Sequence, residues 1–226
     1  MPTVTADPVH AVFFDLDGTL ADTAHDLAYA LNEVRREEGE APLPFETIRP
    51  VVSLGGRALL NLAFGVDAGD PGFEHLRARF LDTYRDNLAN HTRLFPGMAE
   101  VLAYVEGRDL RWGIVTNKAS WLTEPLLARL GLMPRAACVV SGDTTPNRKP
   151  HPDPLLLACE RTRVPPARSV YVGDSRNDIR AGQEAGMRTV VALFGYIPRD
   201  ENPADWGADV FIETPQALID WLAADP

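Results

Sequence analysis

Lysine is almost missing from this chain: Lys118 and Lys149 are the only two among 226 residues, against 20 arginines. The bias is mostly compositional, but it draws attention to the two survivors, both of which sit beside polar turn segments. Cysteine is equally scarce. Cys138 and Cys159 are well separated in apolar stretches, which reads as two small packed hydrophobes and argues against a disulfide framework or a thiolate metal site. No apolar run approaches the roughly 18 residues that a membrane helix needs. Met1 to His10 lacks the basic-then-apolar pattern of a signal peptide, so a cytoplasmic protein is expected. Positive charge is short overall. A net charge of −10 disfavours nucleic acid and anionic membrane as partners, and an anionic substrate would need cations gathered at its site. Internal repeats and low-complexity segments are absent.

What is present is a strand–helix alternation after residue 90. Strands are expected at 110–116, 137–140, 169–172, 188–193 and 209–212, with helices over 121–130, 154–163, 178–185 and 215–223; Gly131 and Gly186 close two of these helices. A first strand is expected at Ala11-Val12-Phe13-Phe14. This order implies an α/β fold, a doubly wound and mostly parallel sheet with helices on both faces. Residues 21–92 differ. Leu27, Ala30, Leu31 and Val34 fall on one helical stripe, Ala58, Leu59, Leu62 and Ala63 on another, and Leu76, Phe80 and Tyr84 on a third, with no good strand between them. The expected organisation is a core domain of residues 1–20 and 93–226 with a helical cap, residues 21–92, inserted after the first strand. Ligands of open parallel sheets bind beyond the carboxyl ends of the strands. The cap leaves the core at that end and is positioned as a lid.

The first strand runs into Asp15-Leu16-Asp17-Gly18-Thr19. Two carboxylates at the end of a buried strand are costly without partners, and a divalent metal with a phosphoryl group would explain them. Asp15 can attack phosphorus as a carboxylate nucleophile, Asp17 can carry protons, and Gly18 allows a sharp turn close to an anion. Three more polar segments follow strands that should lie alongside: Thr116-Asn117, Arg148-Lys149-Pro150 and Gly173-Asp174-Ser175-Arg176-Asn177-Asp178. Together they hold a nucleophile, a proton carrier, neutral donors, a cation and a pair of acids. That inventory suits phosphoryl transfer with Mg²⁺, for which Asp15, Asp174 and Asp178 are candidate ligands.

These four segments, in this order, resemble the motifs of the haloacid dehalogenase (HAD) superfamily of phosphohydrolases: DLDGT at 15–19, TN at 116–117, the lysine of RKPHP at 149 and GDSRND at 173–178. The resemblance covers nearly the whole chain, cap included. It implies an Mg²⁺-dependent phosphomonoesterase working through an aspartyl-phosphate. Asp15 would be the nucleophile and Asp17 the general acid/base. Thr116, Asn117 and Lys149 would hold the phosphoryl oxygens. Asp15, the Asp17 backbone carbonyl and Asp174 would hold the metal, with Asp178 a ligand directly or through water. The run from Arg148 to Leu157 is similar to the phosphoglycolate phosphatase group. Pro50-Val51-Val52-Ser53 with Gly56-Arg57-Ala58, His91-Thr92-Arg93 and Trp206-Gly207-Ala208-Asp209 resemble the N-acetylmuramic acid 6-phosphate phosphatases within it. A small-molecule phosphate ester is the expected partner, and the oligomeric state is left open. The mutases of the superfamily carry a hinge histidine twelve residues after the nucleophile, where this chain has Leu27. The Schiff-base lysine of the phosphonatases has no counterpart in a cap without lysine.

Plainer readings stand beside these. Thr116-Asn117 alone would be a helix cap, Asp178 a first-turn acid favoured by the helix dipole, and Trp112, Trp121 and Trp221 packing residues. Gly55-Gly56-Arg57 is either a turn opening a helix or a substrate loop, with glycines for close approach and Arg57 for an anion. Both candidate substrates carry a carboxylate besides the phosphate. Of the cap's seven arginines Arg57 alone follows a glycine pair, so Arg57, with Gly56, is the expected carboxylate site.

Overall fold

The computed structural model describes residues 8–224. The expectation for Met1 to His10, and the outer ends of the core segments, therefore fall largely outside the described residues. A six-stranded sheet has the order β5–β4–β1–β6–β7–β8, and its neighbours all pair in parallel. The strands are β1 (Ala11–Phe14), β4 (Arg111–Val115), β5 (Cys138–Val140), β6 (Ser169–Gly173), β7 (Arg188–Ala192) and β8 (Val210–Ile212). Strand β1 lies centrally, with Ala11 facing Arg111 on one side and Ser169 on the other. Its four residues are all fully buried. Alternation sends Val12 and Phe14 into one apolar layer and Ala11 and Phe13 into the other. The first layer is filled from α5 (Met98–Gly107), α6 (Ser120–Arg129) and α9 (Pro215–Ala224), the second from α7 (Asp153–Thr162) and α8 (Arg176–Ala185). This is the doubly wound arrangement expected from the alternation. Cys138 and Cys159 are buried free thiols in the second layer.

Between β1 and β4 the chain forms α1 (Ala24–Glu37), α2 (Phe45–Ile48), a 3₁₀ segment Arg49–Leu54, α3 (Gly56–Phe64) and α4 (Phe73–Asp86). Helix α1 buries the expected stripe of Leu27, Ala30, Leu31 and Val34. In α3 the buried side chains are Leu59, Leu60 and Ala63, while Ala58 and Leu62 are only half-buried, so the stripe is rotated from the expected one.

The sequence reading has no strand at the two crossings of this segment. The structure has a ribbon of two-residue strands, β2 (Ala21–Asp22) and β3 (Arg93–Leu94), paired antiparallel. Strands of two residues are too short to leave a periodic pattern. The ribbon is cross-tied. The Asp26 carboxylate accepts from the backbone N–H of His91 and Thr92 and from the Thr92 hydroxyl. The Tyr196 hydroxyl donates to Asp22 Oδ1 at 2.5 Å and accepts from Ala24 N–H at 3.0 Å. Helix α5 is also absent from the sequence reading, although Met98, Val101, Leu102 and Val105, its buried residues, are helically spaced. Among the described residues no helix is long and apolar enough to cross a membrane.

Candidate active site

The carboxyl ends of β1, β4, β5 and β6 converge on Asp15. Backbone pairing fixes it there: Asp15 N–H donates to Val172 O at 2.9 Å. The turn that follows requires glycine. Gly18 has φ +85°, and a Cβ at that position would fall 2.0 Å from Asp174 Oδ2.

Lys149, only 3% exposed, lies behind Asp15. Its Nζ donates to Asp178 Oδ1 at 2.7 Å, to the Tyr171 hydroxyl at 2.8 Å and to Val115 O at 3.0 Å. It forms an ion pair with Asp15 Oδ1 at 2.8 Å, yet that buried oxygen makes no hydrogen bond among the described residues. Burial works against the Lys149 charge, but Asp15 and Asp178 overcome it and hold the ammonium above its ordinary pKa. One ammonium does not balance three buried acids. Burial, opposed by Lys149 and reinforced by Asp178, pushes Asp15 up to about 7. Burial and the neighbouring Asp178 and Asp15 charges raise Asp174 well above the ordinary carboxyl range.

Asp15, Asp174 and Asp178 bring carboxylate oxygens within 4.8 Å of one another. An all-oxygen donor set, excess negative charge and an oxygen without a hydrogen bond fit a hard divalent cation. Asp174 is further engaged by Tyr196 N–H on Oδ2 at 2.7 Å and by the hydroxyl of Ser53, from the 3₁₀ segment, on the same oxygen at 2.7 Å. Asp178 joins both plain and chemical readings. It closes a capping box with Ser175 at the start of α8 through Oδ2 while Oδ1 takes Lys149, so both of its oxygens are occupied.

Asp17 faces a cavity of about 760 Å³ between the carboxyl end of the sheet and α3–α4. Its Oδ1 accepts from the Thr23 hydroxyl and from Lys118 Nζ, each at 2.6 Å. Lys118 in turn donates to the hydroxyl of Tyr84, on α4, at 2.8 Å. Asp15, Asp17, Thr116 and Asn117 line the cavity, and so do Gly56 and Arg57. Lys149, Asp174 and Asp178 are packed behind that wall. The Asn117 amide is spent on Lys149 O at 3.0 Å, and the Thr116 hydroxyl oxygen accepts from Lys118 N–H at 3.1 Å. These side chains therefore also hold the loops that carry the lysines.

Residues 12–192 match the family of haloacid dehalogenase-like hydrolases. The chain belongs to that family. An N-acetylmuramic acid 6-phosphate phosphatase from Pseudomonas putida is 43% identical over 210 residues, covering 93% of this chain and 94% of the relative. A phosphoglycolate phosphatase from Xanthomonas campestris pv. campestris is 44% identical, covering 92% and 94%. The crystal structure of a predicted phosphoglycolate phosphatase from Haemophilus somnus superimposes with a TM-score of 0.84 at 25% identity, covering 94% of this chain and 97% of that one. As a haloacid dehalogenase-like hydrolase of this kind, the protein is a phosphoric monoester hydrolase.

Three features of this hydrolase's site add to the sequence reading. Arg57, expected with Gly56 to take a substrate carboxylate, is paired with Asp67: Nη2 donates to Oδ2 at 2.9 Å and Nε to Oδ1. The pairing lowers Asp67 to about 2, mainly through the Arg57 hydrogen bond. In the glycine pair it is Gly55 that has the left-handed φ, +86°, while a Cβ on Gly56 would meet only Phe80 at an ordinary 3.6 Å. The pair thus serves the turn into α3. Trp121, expected to pack, is 44% exposed and lines the cavity. Lys118, Ser53 and Tyr84 were not among the expected site residues. For Lys118 the signal existed, since it is one of two lysines in the chain.

Proposed function

We propose that this phosphatase is Mg²⁺-dependent and hydrolyses a small carboxylate-bearing phosphate ester through an aspartyl-phosphate on Asp15, with N-acetylmuramic acid 6-phosphate preferred over phosphoglycolate. The observation that carries the reading is the pairing of a buried carboxylate, Asp15, with a second one, Asp17, on the wall of a cavity of about 760 Å³. Cavities of roughly 300–1,000 Å³ enclose drug-sized ligands. A two-carbon acid fills little of such a space, whereas an acylated amino sugar fills much of it. The names of the relatives support both substrates. Leu27, at the position that distinguishes the mutases, lines the cavity and offers no proton.

In this mechanism Asp15 attacks phosphorus and the ester oxygen leaves with a proton from Asp17. Two donors already occupy Asp17 Oδ1, so Oδ2 is the oxygen that carries the proton. Asp17 then takes a proton from the water that attacks the acyl phosphate, and phosphate departs. Lys149, the Thr116 hydroxyl and the Asn117 backbone N–H hold the phosphoryl oxygens. Asp15, the Asp17 carbonyl and Asp174 would hold Mg²⁺, with Asp178, which also pairs with Lys149, a ligand directly or through water; when bound, the ion neutralises charge on the transferring group. The helical cap, residues 21–92, excludes water during the attack.

The test is a panel of phosphate esters with and without Mg²⁺. Phosphate release that depends on Mg²⁺, stops with chelator and is fastest for the muramic acid ester is expected. Faster turnover of phosphoglycolate would reverse the preference, and full activity in chelator would remove the metal.

Linkage gives a second expectation. Folded-state pKa values raised by burial, as at Asp15 and Asp174, stabilise the metal-free fold below the unfolded carboxyl pKa. That contribution is lost as pH rises through the folded values. Metal binding requires the carboxylates and displaces the protons. Saturating Mg²⁺ should therefore raise Tm more at about pH 8 than at about pH 5. Equal shifts at both values would contradict the buried carboxyls as the binding groups.

A further inference from the structure

Besides the aspartates, four cationic side chains line the cavity: Arg57, Arg77, Lys118 and Arg148. Three are matched. Arg57 is held by both oxygens of Asp67, Arg77 pairs with Glu74 at 3.2 Å and Lys118 pairs with Asp17 at 2.6 Å. Arg148 is exposed, and its guanidinium has no ion pair or hydrogen bond among the described residues. It immediately precedes Lys149, whose ammonium lies behind Asp15, so its backbone is anchored to the reacting centre. Trp121, in the first turn of α6, is 44% exposed, and Leu54, from the 3₁₀ segment, is 45% exposed; both line this cavity. Core and cap thus each present a large apolar surface to the same space.

We propose that Arg148 and Trp121 form the remote half of the substrate site, Arg148 pairing with a carboxylate away from the phosphate and Trp121 lying against the face of a sugar ring. The inference rests on the function proposed above and deepens it by assigning its specificity. A guanidinium offers two parallel donors to a carboxylate. Arg57 already commits its Nε–Nη2 edge to Asp67, an exposed pair with which a substrate carboxylate would have to compete. Arg148 gives up only water. An indole presents a wide apolar face with little conformational freedom to lose, which suits the C–H face of a pyranose. A two-carbon acid phosphate has no ring to place there.

The experiment compares kcat/KM for N-acetylmuramic acid 6-phosphate and N-acetylglucosamine 6-phosphate, which keeps the ring and phosphate but lacks the acid. Arg148→Met should reduce the ratio of the two by roughly 10- to 100-fold, the worth of a charged hydrogen-bonded pair. Arg148→Lys, which keeps the charge and loses the fork, should restore only part of it. Trp121→Ala should lower kcat/KM for both sugar esters about tenfold more than for phosphoglycolate, with Trp121→Phe recovering most of the loss. Because each readout is a ratio, a partly misfolded variant does not mimic it. An unchanged ratio in Arg148→Met overturns the carboxylate assignment. A ratio that collapses in Arg57→Met instead returns the carboxylate to the cap. Equal losses on all esters in Trp121→Ala overturn the stacking role. If the unsubstituted enzyme does not distinguish the two sugar esters, the substrate reading itself fails; discrimination that survives Arg148→Met defeats the present inference alone.

Discussion

Asp15→Asn abolishes turnover in the expected outcome, with a loss on the order of 10⁶ in rate, the scale seen when a covalent nucleophile is removed. An amide cannot form the acyl phosphate. The change is nearly isosteric, and the surroundings tolerate it. Lys149 keeps Asp178 Oδ1 at 2.7 Å, the Tyr171 hydroxyl at 2.8 Å and Val115 O at 3.0 Å, and the amide oxygen can still face its ammonium. A folded but inactive protein is therefore expected, with Tm close to that of the parent. Phosphate release from the purified variant, measured beside its thermal melt, checks both halves. Near-normal activity would remove Asp15 from the nucleophile role, and loss of activity accompanied by unfolding would leave the chemistry to be read from mass spectrometry of the trapped phospho-enzyme in the parent.

Asp17→Asn should slow the reaction by roughly 10²–10⁴, the usual worth of general acid–base catalysis. Its amide oxygen can still accept from Thr23 and Lys118, so the local geometry survives. What is lost is the proton. In kcat/KM, which ends at the phosphorylating step, the loss should be small for an ester whose alcohol leaves readily as an anion and large for an alkyl phosphate, because only the latter needs protonation as the bond breaks. Hydrolysis of the acyl phosphate also needs Asp17 as base, so phospho-enzyme should accumulate with the good leaving group. Equal losses of kcat/KM for both classes of ester, with no accumulation, would assign Asp17 a purely structural role through Lys118 and Tyr84.

The core was legible because its inner strands β1, β4, β6 and β7 are almost wholly buried on both faces and leave continuous apolar runs, with polar segments following at the ligand-binding end. The motifs placed Asp15, Asp17, Asp174, Asp178, Thr116, Asn117 and Lys149 at one end of the sheet without help from long-range information. What escaped depends on contacts between segments far apart in sequence. Nothing near Arg57 reveals that Asp67, ten positions on and past the end of α3, will occupy it. The exposure of Trp121 is invisible in a helix whose neighbours Leu122 and Leu126 are buried; only the position of α4 opposite leaves the indole facing a cavity. Lys118 could have been assigned from its rarity, but its partner Tyr84 belongs to the helical stripe and reads as core. It is both: fully buried by its ring and hydrogen-bonded at its tip. The ribbon of β2 and β3 is beyond any pattern of length two.

The central position of β1 also has a consequence for how the chain is made. Ala11 finds its neighbours only at Arg111 and Ser169, so the segment carrying Asp15 is synthesised before either of its partners and paired late. During that interval an apolar four-residue strand has both edges open, while α1, α3 and α4 can meet over short loops soon after they emerge. Contacts so distant in sequence close slowly, and unpaired apolar edges invite association between chains. The inserted helices thus form a compact body between a waiting strand and its future partners, and the catalytic end of the sheet is assembled only when β6 arrives.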